Sequence, residues 1–317
     1  MRKSYKKFMV KELEFISSTK QTIKGREWKD ESRKEYKGIV QIVHGMQEHI
    51  GRYEDFATFL AKQGYIVVAH DQLGHGKTAK QKNEYGFFAP KNGWQYLVDD
   101  VHLLYKQEKE KYPEIPYFIF GHSMGSLIVR TYLIRYQDKL EGAILSGTSG
   151  QKSLLRTGIL LTKLLKVFKG QKYKSELMEY LVTGSFNRKF KPNQTNVDWI
   201  SRDKDTIQFY LKDEDNGKKF TLQAYEDLLK GTLFLSKQKN INKTQDIPIV
   251  LFSGDKDPVG ENAKGVIRVY HMLEKANLQD VTIRLFKDGR HEMLHEINKE
   301  EVYRFILNWI EKRIKVL

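Results

Sequence analysis

The chain has 317 residues, with 55 Lys+Arg against 40 Asp+Glu, a formal charge of +15. Hydrophobic residues make up 40% and aromatics 12%, enough to bury a core, which excludes global disorder. The absence of cysteine excludes disulfides, thiolate nucleophiles, Fe–S clusters and cysteine-based zinc sites together.

Residues 1–15 carry Arg2, Lys3, Lys6, Lys7 and Lys11 but no continuous apolar stretch, so they do not read as a signal peptide. No run approaches the roughly 18 apolar residues of a membrane span. With no cysteine to need an oxidising compartment, a cytoplasmic, soluble protein is expected. The basic balance invites anionic partners, but no zinc-finger spacing or RNA-binding aromatic box accompanies it, so no nucleic acid is expected.

Residues 38–43 form the first strand candidate, a short run of apolar and β-branched residues. The loop after it, His44-Gly45-Met46-Gln47-Glu48-His49, can aim a backbone N–H at a developing oxyanion. Helical spacing over residues 53–63 leads to a second strand at 65–69 and a glycine-punctuated loop, Asp71-Gln72-Leu73-Gly74-His75-Gly76-Lys77-Thr78. A phosphate-binding loop would need glycine five positions before Gly76, where Asp71 stands, so a scaffold turn is expected. A helix at 94–111 precedes a strand at 117–120. Gly121-His122-Ser123-Met124-Gly125 follows, with helical spacing over 126–136. Strand, G-x-S-x-G, helix is the setting of a nucleophile elbow: the tight turn excludes β-carbons at the glycines and holds Ser123 exposed as a nucleophile. The N–H of Met124, the next residue, is a second oxyanion donor.

A strand at 142–145 ends the regular alternation, which resumes only at 247–252. Residues 151–245 read as helices and loops inserted on the sheet, leaving 1–150 and 246–317 as one core domain. Residues 151–191 hold ten Lys/Arg and two Glu, a balance of +8. At about 100° per residue, Leu154, Leu161, Leu164, Leu165 and Phe168 share a stripe there, with Lys152, Arg156 and Lys163 opposite. This is either a core helix with a solvated basic face or a membrane-facing lid.

The strand at 247–252 runs into Ser253-Gly254-Asp255-Lys256-Asp257-Pro258, which offers two carboxylates, Asp255 and Asp257. Helical spacing over 262–276, a strand at 281–286 and Asp288-Gly289-Arg290-His291 follow, then a helix over 300–315. A serine needs a base and a group to orient it, and Ser, then Asp, then His is the chain order such hydrolases use. His291-Glu292-Met293-Leu294-His295 also fits H-E-x-x-H, but a zinc site needs a continuous helix and a third ligand. Here a turn precedes His291, so neither metal nor cofactor is expected. Strands alternating with helices imply an α/β fold with a mostly parallel sheet, helices on both faces and an inserted helical cap.

Taken together, the 44–49 loop with Arg52-Tyr53, the 71–76 loop, the 121–125 elbow, and the motifs at 254–260 and 290–294 resemble the monoacylglycerol lipase and lysophospholipase-like branch of the α/β-hydrolases. The resemblance implies Ser123 as nucleophile, Asp257 as acid and His291 as base. It implies Met46 and Met124 as oxyanion donors and a cap over an acyl pocket, with Leu161, Leu164, Leu165 and Phe168 as candidate lining. Gln47 stands where the family often has glycine, and Ser126 where a second glycine is common. A small lipid ester is the expected substrate, and the basic cap suggests peripheral contact with an anionic membrane surface. Two other readings are an aminopeptidase, with Asp213-Glu214-Asp215 receiving an α-ammonium, and a non-enzymatic surface-binding protein.

Overall fold

The computed structural model describes residues 8–80, 84–150 and 154–314. Within them, strands β1 (Phe8–Ile16), β2 (Thr22–Asp30), β3 (Gly38–Val43), β4 (Tyr65–His70), β5 (Tyr117–His122), β6 (Gly142–Ser146), β7 (Ile249–Gly254) and β8 (Val281–Phe286) form one sheet. Its order is β1-β2-β4-β3-β5-β6-β7-β8. From β4 to β8 all neighbours are parallel, while β1 and β2 form an antiparallel hairpin that also pairs antiparallel with β4.

The helices are α1 (Glu54–Lys62), α2 (Gly76–Lys80), α3 (Gly93–Lys111), α4 (Met124–Arg135), α5 (Leu155–Lys169), α6 (Glu176–Thr183), α7 (Lys204–Lys212), α8 (Leu222–Leu235), α9 (Gln238–Ile241), α10 (Lys264–Glu274) and α11 (Lys299–Glu311). Because side chains alternate along a strand, each parallel strand feeds two cores. Ile39, Ile66, Ile119, Leu145 and Leu251 face the layer of α3, α4 and α10. Val40, Val67, Phe120, Ile144 and Phe252 face α1 and α11. The central strands are buried on both sides, which is why they read as continuous apolar runs.

The six strands expected from the sequence are present, and the β1–β2 hairpin adds two more. β2, Thr-Ile-Lys-Gly-Arg-Glu-Trp-Lys-Asp, buries Ile23, Gly25 and Trp28 while pairing its charges, Glu27 with Lys29 among them. Such a strand looks polar to a reading of apolar runs.

Helices α5 to α9 lie between β6 and β7. The inserted segment is not uniformly separate from the core. α8 packs on both α3 and α4, and Gly231 makes room for the Trp94 ring where an added β-carbon would meet Trp94 at 2.1 Å. α5 then lies on α8 and forms the first helix of the cap. Lys152 and the basic residues of 1–7 lie outside the described residues.

Candidate active site

Four loops at the carboxyl ends of parallel strands converge, the usual position for a site in such a sheet. β5 ends at Gly121-His122 and turns through Ser123, whose backbone has φ 51° and ψ −119°, a left-handed conformation costly for a residue with a β-carbon. The turn is enforced by close approach: a β-carbon on Gly125 would lie 2.0 Å from the Val43 carbonyl oxygen, and one on Gly121 2.6 Å from that of Gly125. The Ser123 N–H donates to the Ser146 carbonyl (2.9 Å), and α4 begins at the next residue.

After β8, His291 places Nδ1 2.9 Å from Asp257 Oδ2, both side chains being buried. Asp257 is held from the other side: Ser253 Oγ donates to Oδ2 (2.9 Å), and the Val259 N–H donates to Oδ1 (2.9 Å). Burial disfavours a charged His291, but the Asp257 carboxylate, with Glu292 and Glu48 nearby, outweighs it and holds the imidazole above its ordinary range. The sequence left two carboxylates open at this turn before family resemblance was considered. Asp255 Oδ1 accepts the Asp288 N–H (2.9 Å) and serves the turn, whereas Asp257 meets His291.

In the 44–49 loop, buried His44 accepts the Gln72 N–H at Nε2 (3.0 Å) and donates from Nδ1 to the Gly45 carbonyl (2.8 Å). Burial and the neighbouring His75 hold it neutral, well below the imidazole range. Glu48 Oε1 accepts the Gly45 N–H (2.5 Å) and the Tyr53 hydroxyl (2.8 Å). Arg52 donates to Glu48 (2.9 Å) and, through two nitrogens, to Glu292 (2.7 and 2.6 Å), locking this loop to the one that carries His291. Ser123, His291, Met46 and Met124 all line one cavity of about 530 Å³, roofed by Leu155, Leu161, Met178, Leu181, Val182 and Phe186 of the cap.

A family profile described as serine aminopeptidase, S33, matches residues 34–298. The chain belongs to this family of hydrolases. The hydrolase is similar to a thermostable carboxyl esterase from Bacillus coagulans, solved in complex with glycerol: 30% identity, TM-score 0.89, covering 96% of this chain and 99% of that one. It is 24% identical over 289 residues to the monoglyceride lipase of Rattus norvegicus, covering 88% of this chain and 84% of that protein. It also matches, at 25% identity over 95% of its length, 29% of a longer Dictyostelium discoideum protein described as an uncharacterized abhydrolase domain-containing protein. The chain is thus a serine hydrolase of the α/β-hydrolase fold, similar to the monoacylglycerol lipase branch. No helix among the described residues is long and apolar enough to cross a membrane.

Of the expected acyl-pocket residues, Leu161 lines the cavity. Leu164 and Phe168 of the hydrolase point to solvent, 54% and 75% exposed, and Leu165 is half-buried against the core. The reason lies in close packing: α5 turns Leu155, Gly158 and Thr162 to α8, with Leu229 3.0 Å from where a Gly158 β-carbon would stand. Small residues set that face, so a stripe ranked by hydrophobicity is rotated from the buried one, sharing Leu161 and Leu165 with it but turning Leu164 and Phe168 outward.

The H-E-x-x-H segment is a loop ending in a short 3-10 turn, Met293–His295, with His291 on Asp257 and Glu292 on Arg52. The Asp71 carboxylate fills the space a β-carbon on Gly76 would need (2.4 Å) and accepts the N–H groups of Ile50 and Lys77, so that loop is scaffold. Asp213 is taken up by His49 (2.7 Å) and Asp215 by the Tyr85 hydroxyl (2.6 Å).

The sequence reading missed Trp199, whose ring lies 5.1 Å from that of His291. Around it the segment from Asp198 to Arg202 holds the His291 loop: the His291 N–H donates to the Trp199 carbonyl (3.4 Å) and the Glu292 N–H to that of Ile200 (2.7 Å). Arg290 donates to the Ser201 carbonyl (3.0 Å), and Arg202 pairs with Glu296 (3.0 Å). No spacing within the insertion marks these residues, because their partners lie some ninety positions away.

Proposed function

We propose that this hydrolase cleaves single-chain lipid esters, monoacylglycerols or lysophospholipids, by a Ser123–His291–Asp257 triad. The observation that carries the reading is the buried His291–Asp257 pair opening, with Ser123, into an apolar cavity under the cap. Ser123 Oγ attacks the ester carbonyl while His291 Nε2 takes its proton, and Asp257 orients the ring and stabilises the imidazolium. The N–H groups of Met46 and Met124 receive the oxyanion, a contribution of about 3 kcal/mol per donor in comparable sites. The imidazolium returns the proton to the leaving alcohol; water, activated by His291, then releases the fatty acid and restores the serine. The relatives named as carboxyl esterase and monoglyceride lipase support ester chemistry.

The family description favours one competing substrate, a peptide N-terminus. The test is fluorophosphonate labelling of wild type and Ser123→Ala, with turnover of monoacylglycerols, lysophospholipids and aminoacyl-arylamides. The expected result is one label per wild-type chain, none on the variant, and preference for the lipid esters. Ester hydrolysis that survives Ser123→Ala overturns the mechanism; preference for arylamides overturns the substrate class.

We also propose that the outer cap rests on anionic membrane surface. On α5, Leu160, Leu164, Val167 and Phe168 recur at helical spacing and are 54–79% exposed, between exposed Arg156, Lys163 and Lys169.

A further inference from the structure

Gln47 occupies the position after Met46 and is fixed on several sides, the Tyr210 hydroxyl donating to its backbone carbonyl (3.5 Å) among them. Its N–H donates to His75 Nε2 (3.3 Å), its carbonyl accepts the Gly217 N–H (2.9 Å), and its amide nitrogen donates to both carboxylate oxygens of Glu179 on α6 (3.1 and 3.2 Å). Glu179 in turn accepts the Tyr225 hydroxyl (3.0 Å), and no lysine or arginine among the described residues pairs with it. A carboxylate has only acceptor oxygens, so it can face the NH₂ side of an amide and never the carbonyl side. Glu179 therefore decides which way the Gln47 amide is turned. The amide oxygen accepts no hydrogen bond from any described residue, and Gln47 lines the cavity beside Glu48 and Tyr210, at the end near the candidate oxyanion donors.

We infer that Gln47 is a specificity-determining residue that accepts a hydroxyl from the alcohol part of the substrate, and that Glu179 is the positioning residue that keeps its carbonyl turned to that task. The assignment rests on the lipid-ester reading above and sharpens it. A site whose free group is an acceptor, with carboxylates behind it, receives a hydroxyl donor and rejects a phosphate, which offers only acceptors and negative charge. The head group selected is an uncharged polyol ester rather than an anionic lysolipid. Gln47 sits at φ 60°, where glycine costs nothing, so its side chain can be removed without straining the turn.

The experiment compares monolauroylglycerol, methyl laurate and lauroylglycerol phosphate as substrates for wild type, Gln47→Gly and Glu179→Gln, each checked for a wild-type melting temperature. In both variants the kcat/KM ratio of monolauroylglycerol to methyl laurate is expected to fall about tenfold, or about 1.4 kcal/mol. In Glu179→Gln the amide is free to turn its NH₂ to the cavity, so the preference for monolauroylglycerol over its phosphate narrows as well. A role confined to holding the cap would lower all three substrates together. Ratios unchanged within about twofold in both variants, or a common loss, overturn the assignment alone. A wild type that turns over none of these esters overturns the lipid-ester reading itself, and this assignment with it.

Discussion

Asp257 accepts from Ser253 and the Val259 N–H as well as facing His291, so both its oxygens are committed. Asn at this position would present an NH₂ group to one of these donors or to the ring, disturbing the tautomer that His291 needs. Asp257→Asn is expected to lower kcat by about 10⁴ with the fold intact, measured by ester turnover and circular dichroism. The pH profile follows from His291. As the proposed base, His291 works only when neutral, and its carboxylate neighbours raise its pKa, so kcat/KM is expected to rise with pH. The acid limb has its midpoint above the ordinary imidazole value of about 6.5. A midpoint at or below that value would contradict the electrostatics described for the site. The candidate positions of Ser123 and His291 stood out in the sequence because the first follows an apolar run at 117–120 and the second an alternating, β-branched one, Val281–Phe286, each too short for anything but a strand. The choice of Asp257 over Asp255 needed either family resemblance or the fold: the two are separated by one residue, and only the turn after β8 shows which one His291 meets.

Among the elements, the link between the 44–49 loop and the 290–296 loop is a buried ion network centred on Arg52. Arg52→Ala would leave Glu48 and Glu292 in the interior without their cation, a situation that typically costs about 3–5 kcal/mol. Urea unfolding should show that loss as a lower midpoint, and Arg52→Lys should recover part of it, since one ammonium cannot replace the two-nitrogen contact with Glu292. The central strands were legible because burial on both faces writes itself as apolar composition. The β1–β2 hairpin was not, since its charges satisfy one another across the edge of the sheet. α5 was recognised as a helix, but its rotation was misjudged, because Gly158 and Thr162 draw it onto α8 more closely than leucines could.

For the whole molecule, charge and apolar exposure coincide. Residues 151–191 carry a balance of +8 within a total of +15, and the exposed leucine, valine and phenylalanine side chains of α5 stand among the described part of that charge. Binding to vesicles containing phosphatidylserine should exceed binding to neutral phosphatidylcholine vesicles and weaken as salt rises toward 1 M, where the screening length falls to about 3 Å. Val167→Asp with Phe168→Asp should reduce co-sedimentation with the anionic vesicles at least tenfold. Equal partition onto both lipids would leave hydrophobic contact without the electrostatic part.

The hold of residues 198–202 on the His291 loop bears on how such enzymes can be recombined. A chimera that takes its roof from a relative would import foreign carbonyls opposite His291 and Glu292 and a foreign ring in place of Trp199. Exchange of the first part of the roof, α5 and α6, leaves that support in place, so substrate range can diverge there while the chemistry stays intact. Exchange across 198–202 would alter the setting of His291 along with the roof.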